Sequence, residues 1–231
     1  MPKRYFSLLG VASWVLAQGC ALLFFSGSGF AQQTILSTPA ETASDVFVPA
    51  PDSDWMVPFG QSCDFIVHQK TFQIGSTDSS LVMLAHAAAG SGVAAEVQLL
   101  HTPASSSAIS GLGIMSDARH ALVIGLEDDD VVLWELAPEG VRVLSRRPIG
   151  HGLPLEFRVI GGSIPNARFY WRYKRERVWH VFGNPASYAH LSHWPRSAFF
   201  GLLVDGPLGS QAVFREYQEV PSVGYQEAAV R

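Results

Sequence analysis

The sequence predicts an all-β fold: two antiparallel sheets packed face to face as a jelly-roll sandwich. Three observations lead there. The chain beyond Ala94 is a succession of short runs rich in Val, Ile, Leu, Phe and Trp. Gly, Pro or Asp breaks these runs at short intervals, as turns between strands require. Helical periodicity is poor throughout. With 231 residues, 48% of them hydrophobic and 16% charged, the chain is too apolar for disorder and long enough for one sizeable core.

The elements follow in order. "SLVMLAHAAAG" is the best helical stretch, yet it suits a strand followed by a small-residue loop equally well. In "AAEVQLLH", Val97 and Leu99 alternate with Glu96, Gln98 and Leu100. "GLGIMSD" and "ALVIGLE" are apolar runs parted by "DARH", and "VVLWELA" and "VRVLSRR" are parted by "PEG". "LEFRVIG" alternates Leu155, Phe157 and Val159 with Glu156, Arg158 and Ile160. In "ARFYWRY" the rings of Phe169, Trp171 and Tyr173 share one face, and Tyr170 and Arg172 the other. "KRER" is read as a turn and Val178 to Phe182 as the return strand. The three-ring row is expected to fill the space between two sheets. "AFFGLLVDG" and "QAVFREYQEV" close the series.

Both termini read differently. Lys3 and Arg4 precede an apolar run from Tyr5 to Phe25, and "SGSGFA" supplies a small-residue cut before Gln32. Residues 1–31 are therefore expected to be an export signal, with an uncleaved anchor as the rival reading. A lipid-modified Cys20 fits less well, because "ALLFF" carries the apolar run past it. Residues 32–54 are expected to be a flexible Ser/Thr/Pro/Ala-rich leader, residues 55–220 the folded domain and residues 221–231 a flexible tail. The protein is thus expected to be secreted or periplasmic, and free of the membrane once cleaved. Lys3 and Arg4 are the only charges before residue 41, which leaves 14 basic and 20 acidic groups, a net −6. Such a body has no general attraction for nucleic acid or anionic lipid. Cys63, alone after cleavage, cannot staple a domain; it is read as a small buried hydrophobe or as one half of an intermolecular bond.

The segments "AAEVQLL", "SGLGIMSDARHALVIGLE", "VVLWELAPEGVRVL", "PLEFRVIGG", "ARFYWRY", "VWHVFG" and "SAFFGLLVDGP…AVFREYQEV" carry a family likeness. In this order they resemble the concanavalin A-like lectin/glucanase superfamily. The similarity is in particular to its laminin-G-like bacterial branches of unknown function and to the related 3-keto-disaccharide hydrolase domains. It covers about Gly92 to Val220, with a further strand pair around Asp64 to Ile74. The resemblance implies that the "ARFYWRY" strand lies in a convex back sheet. It implies a concave front sheet made of Gly111–Met115, Ala121–Glu127, Val131–Leu136 and Phe199–Asp205. Gly113, Met115, Val123, Gly125, Glu127, Leu203 and Asp205 would then face outward there, while Trp134 and Glu135 are separated by one residue of register.

The glucanases of that superfamily carry Glu-x-Asp-x-(x)-Glu. Here Glu127 and Asp129 are followed by Val131 and Val132, where the second Glu should stand, so the acid/base partner is missing. Asp128, Asp129 and Asp130 suit either a structural Ca²⁺ or a solvated hairpin tip, and no other cofactor is implied. His190 and His193 lack the further ligands a zinc site needs. Neither a nucleophile elbow nor a phosphate-binding loop is present. Two function classes follow. One is a noncatalytic exported module that binds a glycan or a cell-envelope protein, with Trp134 stacking on a sugar and Glu135, Glu127 and Asp205 accepting from its hydroxyls. The other is a hydrolase or lyase acting on a modified sugar.

Overall fold

Alternation becomes strand almost everywhere it occurs. The structure, a computed structural model, describes residues 47–49, 54–58, 63–76, 81–87, 92–102, 108–150, 153–161, 166–184 and 199–222. The expected signal segment, the two-histidine loop and the side chain of Cys63 lie outside the described residues. So do most of the leader and the tail beyond residue 222.

Among the described residues there is no α-helix and there are fifteen strands. The chain opens with β1 (Phe47–Pro49), β2 (Met56–Pro58), β3 (Cys63–His68), β4 (Thr71–Ser76) and β5 (Leu81–Ala87). The centre holds β6 (Val93–His101), β7 (Ile109–Asp117), β8 (His120–Glu127), β9 (Asp130–Ala137) and β10 (Gly140–Pro148). Last come β11 (Leu155–Ile160), β12 (Arg168–Tyr173), β13 (His180–Phe182), β14 (Phe199–Asp205) and β15 (Gln211–Pro221). All pairings are antiparallel. One sheet has eight strands in the order β1-β2-β5-β14-β7-β8-β9-β10, and the other has seven in the order β13-β12-β11-β6-β15-β4-β3. The expected two-sheet sandwich is what the chain forms. Two boundaries move, however. β1 lies inside the stretch read as a leader and pairs with β2, and Pro221 ends β15 with the next residue, Ser222, donating to the Gly92 carbonyl at 2.6 Å.

The ambiguous "LVMLAHA" stretch is β5, a strand between β2 and β14. The three-ring row points inward as expected. Phe169 and Trp171 are buried in the core between the sheets, and Tyr173 packs against it. Facing them across that core are Leu112, Ile114, Leu122, Ile124 and Leu133 of the eight-stranded sheet. Lys174 and Arg175 make the turn.

The two sheets differ on their outer faces, and the difference is written in the strands. β7, β8 and β9 are apolar at nearly every position, the pattern of a strand buried on both sides. Their outward residues Met115, Val123, Val132 and Trp134 form a second buried cluster with Met83, Ala85 and Leu203. Gly111 is required there: a Cβ on it would sit 2.2 Å from the Ile124 carbonyl oxygen. β6, β11 and β12 alternate instead. Their inward residues are Val97, Leu99, Leu155, Phe157, Val159, Phe169 and Trp171, and their outward residues include Glu96, Gln98, Glu156, Arg158, Tyr170 and Arg172.

Candidate functional site

Register builds a polar surface on the outer face of the seven-stranded sheet. Glu96 of β6 stands opposite Arg158 of β11, which stands opposite Tyr170 of β12. One row along, Gln98 stands opposite Glu156, and Glu156 opposite Arg172. On the other side of β6, Gln218 of β15 is the partner of Glu96. Directly opposed side chains on one face lie about 5 Å apart, close enough for ion pairs to form without backbone distortion.

They form. Arg158 donates from Nε at 2.7 Å and Nη2 at 2.5 Å to one oxygen of Glu96, and Gln218 Nε2 donates to the other at 3.1 Å. Arg172 donates from Nε and Nη2, both at 2.5 Å, to Glu156. The Arg158 side chain is only 8% exposed, so its charge is carried by that pairing rather than by water. Trp179, in the segment leading to β13, is stacked on both cations, with the Cζ of Arg158 4.0 Å and that of Arg172 4.2 Å from its ring centroid. Each such contact is worth about 0.5–2 kcal/mol, more when desolvated.

A recess of about 310 Å³ opens among these groups, lined by Glu96, Gln98, Glu156, Arg172, Trp179 and Gln218, with Lys70 and Glu216 at its side. Two backbone irregularities shape that side. Gln69 and Lys70 have φ of 46° and 66°, and they join β3 to β4 as a two-residue hairpin turn. Glu216, at φ 57°, is the extra residue of a bulge in β15, and its N–H donates to the Lys70 carbonyl at 2.8 Å. The bulge frees Glu216 from the ladder and presents it beside the turn. Carboxylates, guanidinium, amides and an indole thus share one concavity, the set that sugar hydroxyls and the apolar faces of sugar rings require.

The residues expected from sequence to bind lie on the other sheet. Glu127, Asp205 and Trp134 do share its outer face, but they do not converge. Asp205 and Glu127 sit in one row, two strands apart through Ile109, and Trp134 lies four residues along β9 from Asp130, the partner of Glu127. That is a separation of about 10 Å for the first pair and about 13 Å for the second. Trp134 is 0% exposed, so it does not offer the free ring that stacking on a sugar needs. The physical reason is its neighbourhood: Val123 stands opposite it in the register, and Met115, Val132 and Leu136 complete a buried apolar cluster around it. Glu135 faces the opposite way, toward the inter-sheet side, where Arg142 of the edge strand β10 closes over it with Nη2 at 2.5 Å. Glu127 and Asp130 are both engaged by Arg146, the Asp130 contact at 3.0 Å. These bonds, that to Asp130 first, raise the Arg146 pKa further.

Asp128 and Asp129 are the exposed tip of the β8–β9 hairpin, with Asp128 at φ 54°. Among the described residues no three His, Cys, Asp or Glu side chains are grouped to hold a metal ion. The groups that line the recess from β6, β11 and β12 were legible only as outward positions in "AEVQ", "LEFR" and "YWRY", and Trp179 and Gln218 only as members of "VWHVFG" and "REYQEV". What assembles them is the pairing of β6 with β11, strands about sixty residues apart.

No protein-family model matches the chain, and no curated protein matches it. Solved structures do. The GH43 BlXynB protein from Bacillus licheniformis is similar at a TM-score of 0.55 and 16% identity, over 73% of this chain and 37% of that one. A xylan beta-1,4-xylosidase from Bacillus halodurans C-125 is similar at 0.53 and 14%, over 76% of this chain and 38% of that one. The carbohydrate binding module CBM66 from Bacillus subtilis is similar at 0.50 and 15%, over 72% of this chain and 95% of that one. The chain spans less than two fifths of the first two proteins and nearly the whole of the third. At these identities the likeness is one of architecture: a jelly-roll-like β-sandwich.

Proposed function

We propose that the chain is an exported, concanavalin A-like β-sandwich module that binds a glycan in the recess on the outer face of its seven-stranded sheet. The observation that carries this is the recess itself. There Trp179 is held on Arg158 and Arg172, and Glu96, Glu156, Gln98 and Gln218 provide acceptors and donors around it. Pre-paired side chains lose little entropy on binding, which favours affinity for a hydroxyl-rich ligand. Among the solved structures of like fold is a carbohydrate-binding module, and this reading extends that role to this chain. Export rests on the Lys3/Arg4, apolar and small-residue order of the N-terminal segment.

A second reading, a glycan-active hydrolase, is favoured by one observation. Glu96 and Glu156 are diagonal neighbours on adjacent strands. Their Cα atoms are therefore about 7–8 Å apart, so two carboxylates face one recess, as glycoside hydrolysis requires.

A glycan array probed with residues 32–231, with Trp179→Ala beside it and a reducing-sugar assay on every hit, tests both readings. Binding that Trp179→Ala abolishes, with no sugar released, supports the module. Release of sugar that Glu156→Gln stops supports the enzyme. Silence on every glycan sinks both.

A further inference from the structure

Two open sheets have four free edges, and among the described residues three of these are guarded. The eight-stranded sheet ends in β1 and β10, and the seven-stranded sheet in β13 and β3. β1 and β13 are three residues long, too short to template another strand. β10 is long, but a bulge at Leu144 breaks its register, and Arg142, Arg146 and Arg147 line it. Bulges and charges are how natural edges avoid pairing. β3 has neither defence: its six residues carry no bulge, proline, lysine or arginine. Successive positions, and hence both faces, show exposed β-branched side chains, Ile66 at 60% and Val67 at 47%.

Register shows which backbone groups this edge leaves open. β3 turns into β4 through the two-residue hairpin, so His68–Thr71 is a hydrogen-bonded pair, and by alternation so are Ile66–Gln73 and Asp64–Gly75. The N–H and C=O of Phe65 and Val67 therefore point away from β4. A second β3 running antiparallel meets them when Phe65 lies opposite Val67 of the other copy and Val67 opposite its Phe65. That register sets Ile66 on Ile66 at the two-fold axis and Asp64 against His68, twice. Among the described residues neither Asp64 nor His68 has a side-chain partner, and an imidazole N–H can donate to a carboxylate. Moving the axis to Phe65 puts Asp64 against Ile66 instead, and moving it to Val67 runs the pairing into the Gln69–Lys70 turn.

We infer that the protein is a two-fold dimer in which the β3 edges of two copies pair antiparallel, joining their seven-stranded sheets into one. The pairing consumes the open edge of both copies, so assembly closes at two. It also sets the polar outer faces of the two sheets on the same side. Three strand spacings in each copy and one between them put the two β6 strands about 34 Å apart. On the glycan reading above, two recesses facing one way let one extended glycan or one coated surface engage both.

The test is sedimentation velocity of the protein as exported, in a concentration series. The parent should approach the mass of two chains. Ile66→Lys opposes two ammoniums at the axis and should weaken association at least about tenfold. Ile66 is an exposed side chain, so this variant should melt as the parent does. Asp64→Lys should weaken association as well, and adding His68→Asp should restore it, because the new charges oppose each other only in this register. Ile66 and its counterpart form a non-hydrogen-bonded pair with Cα atoms about 4.5 Å apart, within disulfide reach. Ile66→Cys on a Cys63→Ala background should therefore give a covalent dimer on oxidation. A protein that is monomeric at every concentration overturns the inference and leaves the glycan reading standing. A dimer that Ile66→Lys leaves intact, or a mass that climbs past two chains, overturns it equally.

Discussion

Replacing Trp171 by alanine probes the inter-sheet core where the two sheets close on each other. The ring is 4% exposed and packs edge-on to Tyr173 at 5.4 Å and tilted by 34° to His180 at 4.8 Å. A buried Trp removes about 150–250 Å² from water, which at about 25 cal/mol per Å² is about 4–6 kcal/mol. One term offsets this. The Trp171 Nε1 is buried without an acceptor, and truncation removes that orphan donor, returning about 1–3 kcal/mol. The midpoints of the two terms give an expected net loss of about 3 kcal/mol, the low end for large aromatic truncations. In a domain of this size that lowers Tm by about 6–12 °C. Trp171→Phe separates the terms: it keeps most of the ring and deletes the orphan N–H, so it should cost less than about 1.5 kcal/mol. Urea unfolding followed by circular dichroism, with unchanged m values, gives both numbers. A Trp171→Ala domain within about 1 kcal/mol of the parent would refute the core assignment. A Trp171→Phe domain as unstable as Trp171→Ala would show that the indole N–H is satisfied after all.

Trp134→Ala should also destabilise, by about 3–5 kcal/mol in a thermal melt, because the ring is fully enclosed; an unchanged Tm would mean that its face opens in solution. Arg158→Met leaves the Glu96 carboxylate enclosed without its cation and should cost about 3–5 kcal/mol. Adding Glu96→Gln should restore much of the loss, and a double-mutant cycle showing simple additivity would argue against a coupled pair. Burial, and then the Glu219 carboxylate beside it, raises the Tyr217 phenol well above its ordinary 10.0. A raised phenol keeps its full contribution below the unfolded pKa and loses it as pH climbs beyond, so stability should fall by about 1.4 kcal/mol per pH unit above about pH 10. Tyr217→Phe should flatten that slope in an alkaline denaturation series, and a slope equal to the parent's would assign the loss to other groups.

The fold was legible because alternation is a direct consequence of strand geometry. "LEFRV" and "RFYWRY" can bury one face only if they are strands, and both do. The site was not legible in the same way. Glu127, Trp134 and Glu135 sit in "ALVIGLEDDDVVLWELA" and Asp205 ends "FFGLLVD", runs whose near-continuous apolar character marks strands buried on both faces. That pattern argues against an open ligand surface there. The residues that line the recess come from β6, β11, β12, β15, the segment before β13 and the β3–β4 turn, and no local motif ties them together. Only strand order does, and strand order depends on pairings between segments far apart in sequence.

The place of β15 has a consequence for how the chain is made. This strand lies between β6 and β4, in the interior of its sheet, and it supplies Phe214 to the core and Gln218 and Glu216 to the recess. A ribosome therefore releases Val93–His101 more than a hundred residues before the strand that must lie beside it. Until then β6 has an open edge, and neither the core nor the recess is complete. High contact order of this kind makes for slow folding and for a nascent chain with exposed pairing edges. Loss of even the final strand would leave two half-sheets instead of a smaller sandwich.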